Sequence, residues 1–146
     1  MDRVPPALTP QLDVDVPETG LSIGDAAAAV GLSVQAVRYY EREGLLLDPT
    51  PRRSNGHRRF RRGDLDWLAG LVMLRETGMP IAEIRQVAAL SRTAGTERQR
   101  LELFEAHRQV VVARLRRTEE HLAALDRKIA AYRAYVADRE ETPDDA

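Results

Sequence analysis

Eight arginines lie between positions 38 and 62, and they are the residues of this chain with the clearest capacity for chemistry. Three acidic residues share the segment, so that its net charge is +5 over 25 positions. Guanidinium groups present several hydrogen-bond donors in one plane and bind phosphate oxygens in pairs. A basic cluster of this kind is also compatible with an ordinary solvated surface. The elements around the arginines must decide between these two interpretations.

The charge of the chain is segregated along its length. Residues 1–20 carry a net charge of −3 and residues 138–146 carry −4, which leaves +6 for the middle of a chain whose total is −1. The two ends also lack a periodic pattern of apolar residues, so we expect 1–20 and 139–146 to be disordered tails. The basic segment therefore lies within the part of the chain that is expected to fold.

Composition and spacing argue against several function classes. The chain has no cysteine, which excludes disulfides, zinc–thiolate clusters and cysteine nucleophiles. His107 and His121 are 14 residues apart, about 21 Å along one helix, so we expect no metal site. No phosphate loop, nucleophile turn or metal-ligand pair at helical spacing is present, so we expect no catalytic residues and no enzyme. No apolar run approaches the roughly 20 residues that cross a bilayer, and the N-terminus lacks a secretory pattern, which predicts a cytoplasmic protein.

Two short helices are predicted at the start of the folded part. Ser22 is suited to cap a helix over residues 23–30, and Ser33 is suited to cap a second helix that runs to Glu43. A glycine follows each helix and favours its termination. Because a turn of about three residues separates them, the two helices match the helix-turn-helix pattern.

Turn-forming residues dominate the segment that follows. The dipeptides Asp48-Pro49 and Asn55-Gly56 favour tight turns, so we predict a small two-stranded wing over 45–60. Two further helices are predicted, over 64–77 and 80–91.

The last part of the chain carries apolar residues at alternating spacings of three and four. Nine of eleven positions in this seam are apolar, which is typical of a coiled coil. As a helix, residues 101–138 would be about 57 Å long, so the seam requires a partner helix unless the helix folds back onto the rest of its own chain. We expect the partner to be a second copy. The predicted dimerisation residues are Leu101, Phe104, Val111, Leu115, Leu122, Leu125, Ile129, Tyr132 and Val136.

The first two predicted helices resemble the start of the MerR family of bacterial regulators, through the residues LSIGDAAAAVGLSVQAVRYYEREGLL at 21–46. The resemblance continues in order through SNGHRRF at 54–60, RETGMPIAEI at 75–84 and the long last helix. The family usually has tyrosine where this chain has His57 and Phe60. The ordered set of motifs is far more specific than a helix-turn-helix alone.

The resemblance implies a mainly α fold with a winged helix-turn-helix DNA-binding domain at 21–90. A loop and a long antiparallel coiled-coil helix at 91–138 would form the dimer, between the disordered tails 1–20 and 139–146. It implies no cofactor. A small organic effector stays open, as do the operator, the target gene and the choice between activation and repression.

The implied function is transcriptional regulation by a homodimer. It would bind a palindromic site in double-stranded promoter DNA and distort the promoter spacer for RNA polymerase. The alternative is an architectural or excision-type DNA-binding protein without an effector. The candidate DNA-binding residues are Ser33, Gln35, Arg38, Tyr39 and Arg42 in the second helix, and Arg52, Arg53, Asn55, His57, Arg58 and Arg59 in the wing.

Overall fold

The structure is a computed structural model that describes residues 12–47 and 57–142. It confirms the mainly α fold. Within those residues it contains five helices: α1 (Ile23–Val30), α2 (Val34–Arg42), α3 (Arg62–Glu76), α4 (Ile81–Ser91) and α5 (Glu97–Glu141). The chain divides into two units, which we call the head, up to Glu105, and the distal helix, from Ala106 onward.

The first helix has the predicted bounds and the second ends one residue before the predicted end at Glu43; the ends of both are capped locally. The Ser22 hydroxyl accepts a hydrogen bond from the backbone N–H of Asp25 at 3.2 Å, and the Ser33 hydroxyl accepts one from Ala36 at 3.0 Å. Each bond satisfies one of the N–H groups that a helix N-terminus leaves without a partner. Gly31 ends α1 in the left-handed conformation, with φ of 72°.

The third helix begins two residues earlier than predicted. The Asp64 carboxylate accepts a hydrogen bond from the backbone N–H of Arg61 at 2.8 Å, so Asp64 lies inside the first turn instead of at its start. An acidic side chain in this position also interacts favourably with the positive end of the helix dipole. The fourth helix follows Pro80, as predicted.

The fifth helix follows a loop that was predicted to end at Thr96, and it extends beyond the predicted range at its C-terminal end. It begins at Glu97, because the Thr96 hydroxyl closes the preceding loop, 2.6 Å from the carbonyl oxygen of Leu90. It ends at Glu141, so residues 139–141, expected to be part of a disordered tail, belong to the helix. The predicted range was taken from the apolar seam, which starts at Leu101. The helix is longer than the seam because a helical backbone does not require apolar residues at those spacings.

The core of the head is formed by apolar side chains from the first four helices and the segments that join them. The largest fully buried members are Val37, Leu45, Phe60, Leu65, Leu68, Leu71, Met79, Ile84 and Val87. Leu103 and Phe104, at the start of α5, pack against this core. Phe104 was predicted to belong to the dimer seam, and within the chain it contacts the head.

The predicted wing over 45–60 lies largely outside the described residues. Of its described ends, Phe60 pairs with Leu21 in an antiparallel bridge through two backbone hydrogen bonds of 2.7 and 2.8 Å. Over 12–47 and 57–142 this bridge is the only β pairing, so the two described ends of the wing do not pair with each other there.

Residues 12–20 pack against the head, in contrast to the disordered tail that was expected for 1–20. Arg62 donates hydrogen bonds to two carbonyl oxygens of this segment at 2.8 and 2.9 Å, and Arg59 donates one to Gly20 at 2.7 Å. The Leu12 side chain packs against the core. The segment is bound through its backbone carbonyls, which no side-chain pattern reveals.

The backbone at Gly20 leaves no room for a side chain. A Cβ atom there would lie 2.8 Å from the carbonyl oxygen of Phe60, and φ is +78°. Gly31 has a similar φ of +72°, but no described atom lies within 4 Å of its Cβ position. We expect Gly20→Ala to lower the free energy of unfolding by about 2 to 3 kcal/mol and Gly31→Ala by about 1 kcal/mol.

The measurement is urea unfolding followed by the fluorescence of Trp67, the only tryptophan of the chain. Equal losses for the two variants would show that the left-handed backbone, and not the contact with Phe60, sets the requirement for glycine at position 20.

Candidate nucleic-acid interface

Helix α2 buries one side and exposes the other. Val37 is fully buried and Tyr40 is 8% exposed, and both belong to the core of the head. The predicted DNA-contacting residues Ser33, Gln35, Arg38, Tyr39 and Arg42 are all exposed. Tyr39 and Tyr40 are adjacent in sequence but differ in burial, because consecutive positions of a helix point about 100° apart.

The C-terminal end of α2 is held by side chains from two other helices. Arg85 donates a hydrogen bond to the Glu43 carbonyl oxygen at 3.1 Å, and Arg92 donates one to Gly44 at 2.6 Å and another to Leu46. In addition, the indole N–H of Trp67 donates to the Leu45 carbonyl oxygen at 2.8 Å. Cationic donors are favourable here because the carbonyl end of a helix is electronegative. The position of α2 is therefore fixed at its C-terminal end and along its buried side.

Sequence reasoning missed these positioning residues. Arg85 and Arg92 are seven residues apart, two helical turns, so they share one side of α4 and its end. That spacing was visible in the sequence, but nothing in it pointed to carbonyl groups more than 40 positions earlier. Trp67 packs against the core and also carries the hydrogen bond to Leu45.

Arg38 and Arg42 project from the exposed side of α2. Neither makes a hydrogen bond or ion pair with another residue in the described ranges, so both guanidinium groups are available to an outside ligand. Arg38 lines a cleft of about 150 Å³ together with Ser22, Ile23, Glu41, His57, Arg58 and Arg59. The cleft joins the start of α1, the middle of α2 and the residues before Phe60, and three arginines border it.

The wing residues fall into three groups. Arg52, Arg53 and Asn55 lie outside the described residues. His57 is exposed. Arg59 is exposed too, although its guanidinium donates to the carbonyl oxygens of residues 19 and 20 at 3.2 and 2.7 Å.

Arg58 is engaged within the head. Its side chain is only 15% exposed, and its guanidinium lies 4.0 Å from the Glu41 carboxylate and 3.7 Å from the Asp64 carboxylate. The same group lies over the ring of Phe60, 5.0 Å from the ring centre. Arg58 thus connects α2, the start of α3 and the end of the predicted wing.

The distal helix exposes the rest of the predicted seam. Its exposed large apolar side chains include Leu115, Leu122, Leu125, Ile129, Tyr132 and Val136, which are between 40 and 62% exposed. Val111 is partly buried. A row of this size in contact with water is unfavourable, since burial is worth about 25 cal/mol per Å² of apolar surface.

Two further observations concern metal sites and membrane-spanning helices. Over residues 12–47 and 57–142, no group of three or more histidine and carboxylate side chains is arranged to hold a metal ion. In the same ranges, no helix combines the length and the apolar character that crossing a membrane requires.

Comparison with known proteins identifies the family. The family model described as MerR HTH family regulatory protein matches residues 21–91. An uncharacterized HTH-type transcriptional regulator of Haemophilus influenzae is 35% identical over 108 residues, which cover 73% of this chain and 79% of that protein. The chain belongs to the MerR family. This result confirms the resemblance that the motifs at 21–84 indicated.

Solved structures of MerR proteins share this fold. A protein from Listeria monocytogenes that is assigned to the MerR family of transcriptional regulators superimposes with a TM-score of 0.75, at 32% identity, over 84% of this chain and 92% of that one. HiNmlR, a MerR family regulator that lacks the sensor domain and was solved bound to promoter DNA, gives a TM-score of 0.67 at 33% identity, over 80% and 92%. The likeness covers most of this MerR chain, well beyond its head.

The hydrogen bonds that hold the end of α2 generate a stability prediction. Arg92→Gln removes the charged donor to Gly44 and Leu46, so we expect the free energy of unfolding to fall by about 1 kcal/mol. Arg98→Gln is the matched control, because Arg98 is exposed and its loss should change that value by less than about 0.5 kcal/mol. Urea unfolding followed by Trp67 fluorescence measures both, and equal values for the two variants would contradict the role of Arg92.

Proposed function

We propose that this MerR-family chain is a sequence-specific transcription regulator that binds a palindromic promoter site as a homodimer. The observation that carries the proposal is the presentation of α2, whose exposed side carries Gln35, Arg38, Tyr39 and Arg42 while its other side and its C-terminal end are held by the head. A rigidly held helix with polar and cationic residues on its free side is suited to the major groove of DNA. The promoter-bound structure of HiNmlR supports this assignment.

The residues of α2 divide by the part of DNA that they reach. Ser33 and Gln35 lie at its N-terminal end, which in a recognition helix is the end that contacts base edges. Arg38 is placed to reach either a base or a neighbouring phosphate. Tyr39 and Arg42 are assigned to backbone phosphates. The exposed residues near the wing, His57 and Arg59, together with Arg52, Arg53 and Asn55, are assigned to the flanking phosphates.

The distal helix is proposed to form the homodimer. Its seam of exposed apolar residues would pair with the same seam of a second copy, in an antiparallel coiled coil. A two-fold symmetric dimer places two copies of α2 on two half-sites, and for that reason the operator is expected to be a palindrome.

The regulatory step is proposed to be a distortion of the promoter. Phosphate contacts on both sides of the operator would allow the dimer to bend or untwist the spacer, and so to change how RNA polymerase engages the promoter. Such action takes place in the cytoplasm. A small organic effector stays open, as do a protein partner and action without an effector, and the chain has no cysteine with which to bind soft metals.

Two substitutions in α2 test the DNA assignment. Gln35→Ala should weaken binding to the selected operator about tenfold, leave binding to a scrambled duplex unchanged and preserve the salt dependence, because it removes a base contact. Arg42→Gln should weaken binding to both duplexes and reduce the slope of log affinity against log salt by about one, because it removes a phosphate contact.

The probe for this test is a duplex that the wild-type protein enriches from a random-sequence pool, with Arg98→Gln as the unchanged control. Enrichment of no sequence at all would overturn sequence-specific binding. An asymmetric footprint on the enriched duplex, without an effect on transcription in a reconstituted reaction, would favour the architectural alternative.

A second pair of substitutions tests the dimer. Leu122→Glu places a charge in the seam of both copies, and we expect the dimer dissociation constant to rise at least a hundredfold. Ala113→Glu is the control, since position 113 is exposed and lies on the opposite side of the helix from the seam. Sedimentation velocity over a range of concentrations gives the mass of each variant. A wild-type protein that sediments as a single chain, or two variants that dissociate equally, would contradict the proposed interface.

A further inference from the structure

The basic cluster between positions 38 and 62 contains arginines in two kinds of environment. Arg38 and Arg42 are exposed and make no ion pair with the described residues, whereas the Arg58 side chain is only 15% exposed and lies near two carboxylates. Sequence reasoning assigned all three to DNA. Their surroundings separate Arg58 from the other two.

We propose that Arg58 is a positioning residue for DNA recognition, which sets the placement of α2 through Glu41 without contacting a phosphate. The inference rests on the proposed function and refines the assignment of its residues. Arg58 reaches Glu41 in α2 at 4.0 Å and Asp64 in the first turn of α3 at 3.7 Å. Its guanidinium therefore bridges the recognition helix and the helix that follows the wing.

The accessibility of the guanidinium argues against a phosphate contact. The Nη1 atom of Arg58 is buried and has no hydrogen-bond partner within 12–47 and 57–142, so a phosphate oxygen from outside cannot reach this atom. The opposite Nη2 atom faces Asp64. One face of the group also lies over the Phe60 ring, at 5.0 Å, so the guanidinium is engaged with residues of the head on several sides.

The bridge has a geometric consequence for recognition. Phe60, under the Arg58 guanidinium, is fully buried and pairs with Leu21 immediately before α1. Through Glu41, which is partly buried, Arg58 therefore links α2 to the part of the head where α1, α3 and the wing meet. Glu41 lies one residue before Arg42 and three after Arg38, so a shift of Glu41 moves both exposed arginines.

Neutralisation of Glu41 gives the sharpest test. The change in DNA affinity has opposite signs if Arg58 is only a source of positive charge and if Arg58 positions α2. Removal of a negative charge near DNA should strengthen binding if Arg58 serves only as a source of positive charge. If Arg58 positions α2 through Glu41, the loss of that carboxylate should weaken binding to the operator in spite of the more favourable charge.

The experiment uses the full chain with the Glu41→Gln and Arg58→Gln substitutions, and Arg42→Gln as the matched control. The probes are the duplex enriched by the wild-type protein and a scrambled duplex of equal length, each at several salt concentrations. For Glu41→Gln and Arg58→Gln we expect the preference for the enriched duplex to fall about tenfold, with the salt slope unchanged. For Arg42→Gln we expect the slope to fall by about one.

Several outcomes would overturn the inference. A salt slope that falls by about one for Arg58→Gln would identify a phosphate contact. Tighter operator binding by Glu41→Gln would exclude the positioning role. This result depends on the Glu41→Gln variant alone, so it can be obtained even if Arg58→Gln fails to fold. Urea unfolding of both single variants and of the double variant must also show that Arg58 and Glu41 are energetically coupled. Losses of unfolding free energy that simply add up would contradict a bridge between the two residues. A wild-type protein that enriches no sequence would instead overturn the proposed function, and with it any role of Arg58 in recognition.

Discussion

The head depends on how a helix of nine residues is held in place. Such a helix is marginal on its own, because the first turn costs more conformational entropy than its few hydrogen bonds return. Here α2 is stabilised at one end by the Ser33 hydroxyl, along one side by burial of Val37 and Tyr40, and at the other end by donors to carbonyl oxygens. Helices α3 and α4 supply most of those donors. Their function in the head is to present α2 as a rigid element.

Charge alone does not describe the basic cluster. Arginine serves in it both as an exposed cation and as an internal connector, since its long side chain covers apolar surface while its planar head bonds to carbonyl or carboxylate groups. Arg62 binds two carbonyl oxygens of the N-terminal segment, and Arg58 joins two helices. A count of positive charges therefore overestimates how many arginines are free to meet DNA phosphates.

The sequence allowed prediction of features that depend on near neighbours. Serine caps, glycine ends and apolar periodicity located α1 and α2 within a residue, and the MerR motifs located the head. Features that depend on partners 40 or more positions away were missed. The Leu21–Phe60 bridge, the packing of residues 12–20 and the clamp on the end of α2 all join distant backbone carbonyl or N–H groups. Backbone groups are the same at every position, so no residue pattern marks which of them will be used.

The anchors on either side of the segment 48–56 have a consequence for how such a regulator can diversify. Leu45 and Leu46 are fixed on one side by Trp67 and Arg92, and Phe60 is fixed on the other by Leu21. The entropy of closing a loop between fixed ends rises only slowly with its length, by about 0.6 kcal/mol for each doubling. Insertions, deletions and changes of charge within 48–56 would therefore leave the anchors of the recognition helix in place, Arg58 among them, so that flanking-sequence preference can evolve separately from the base contacts of α2.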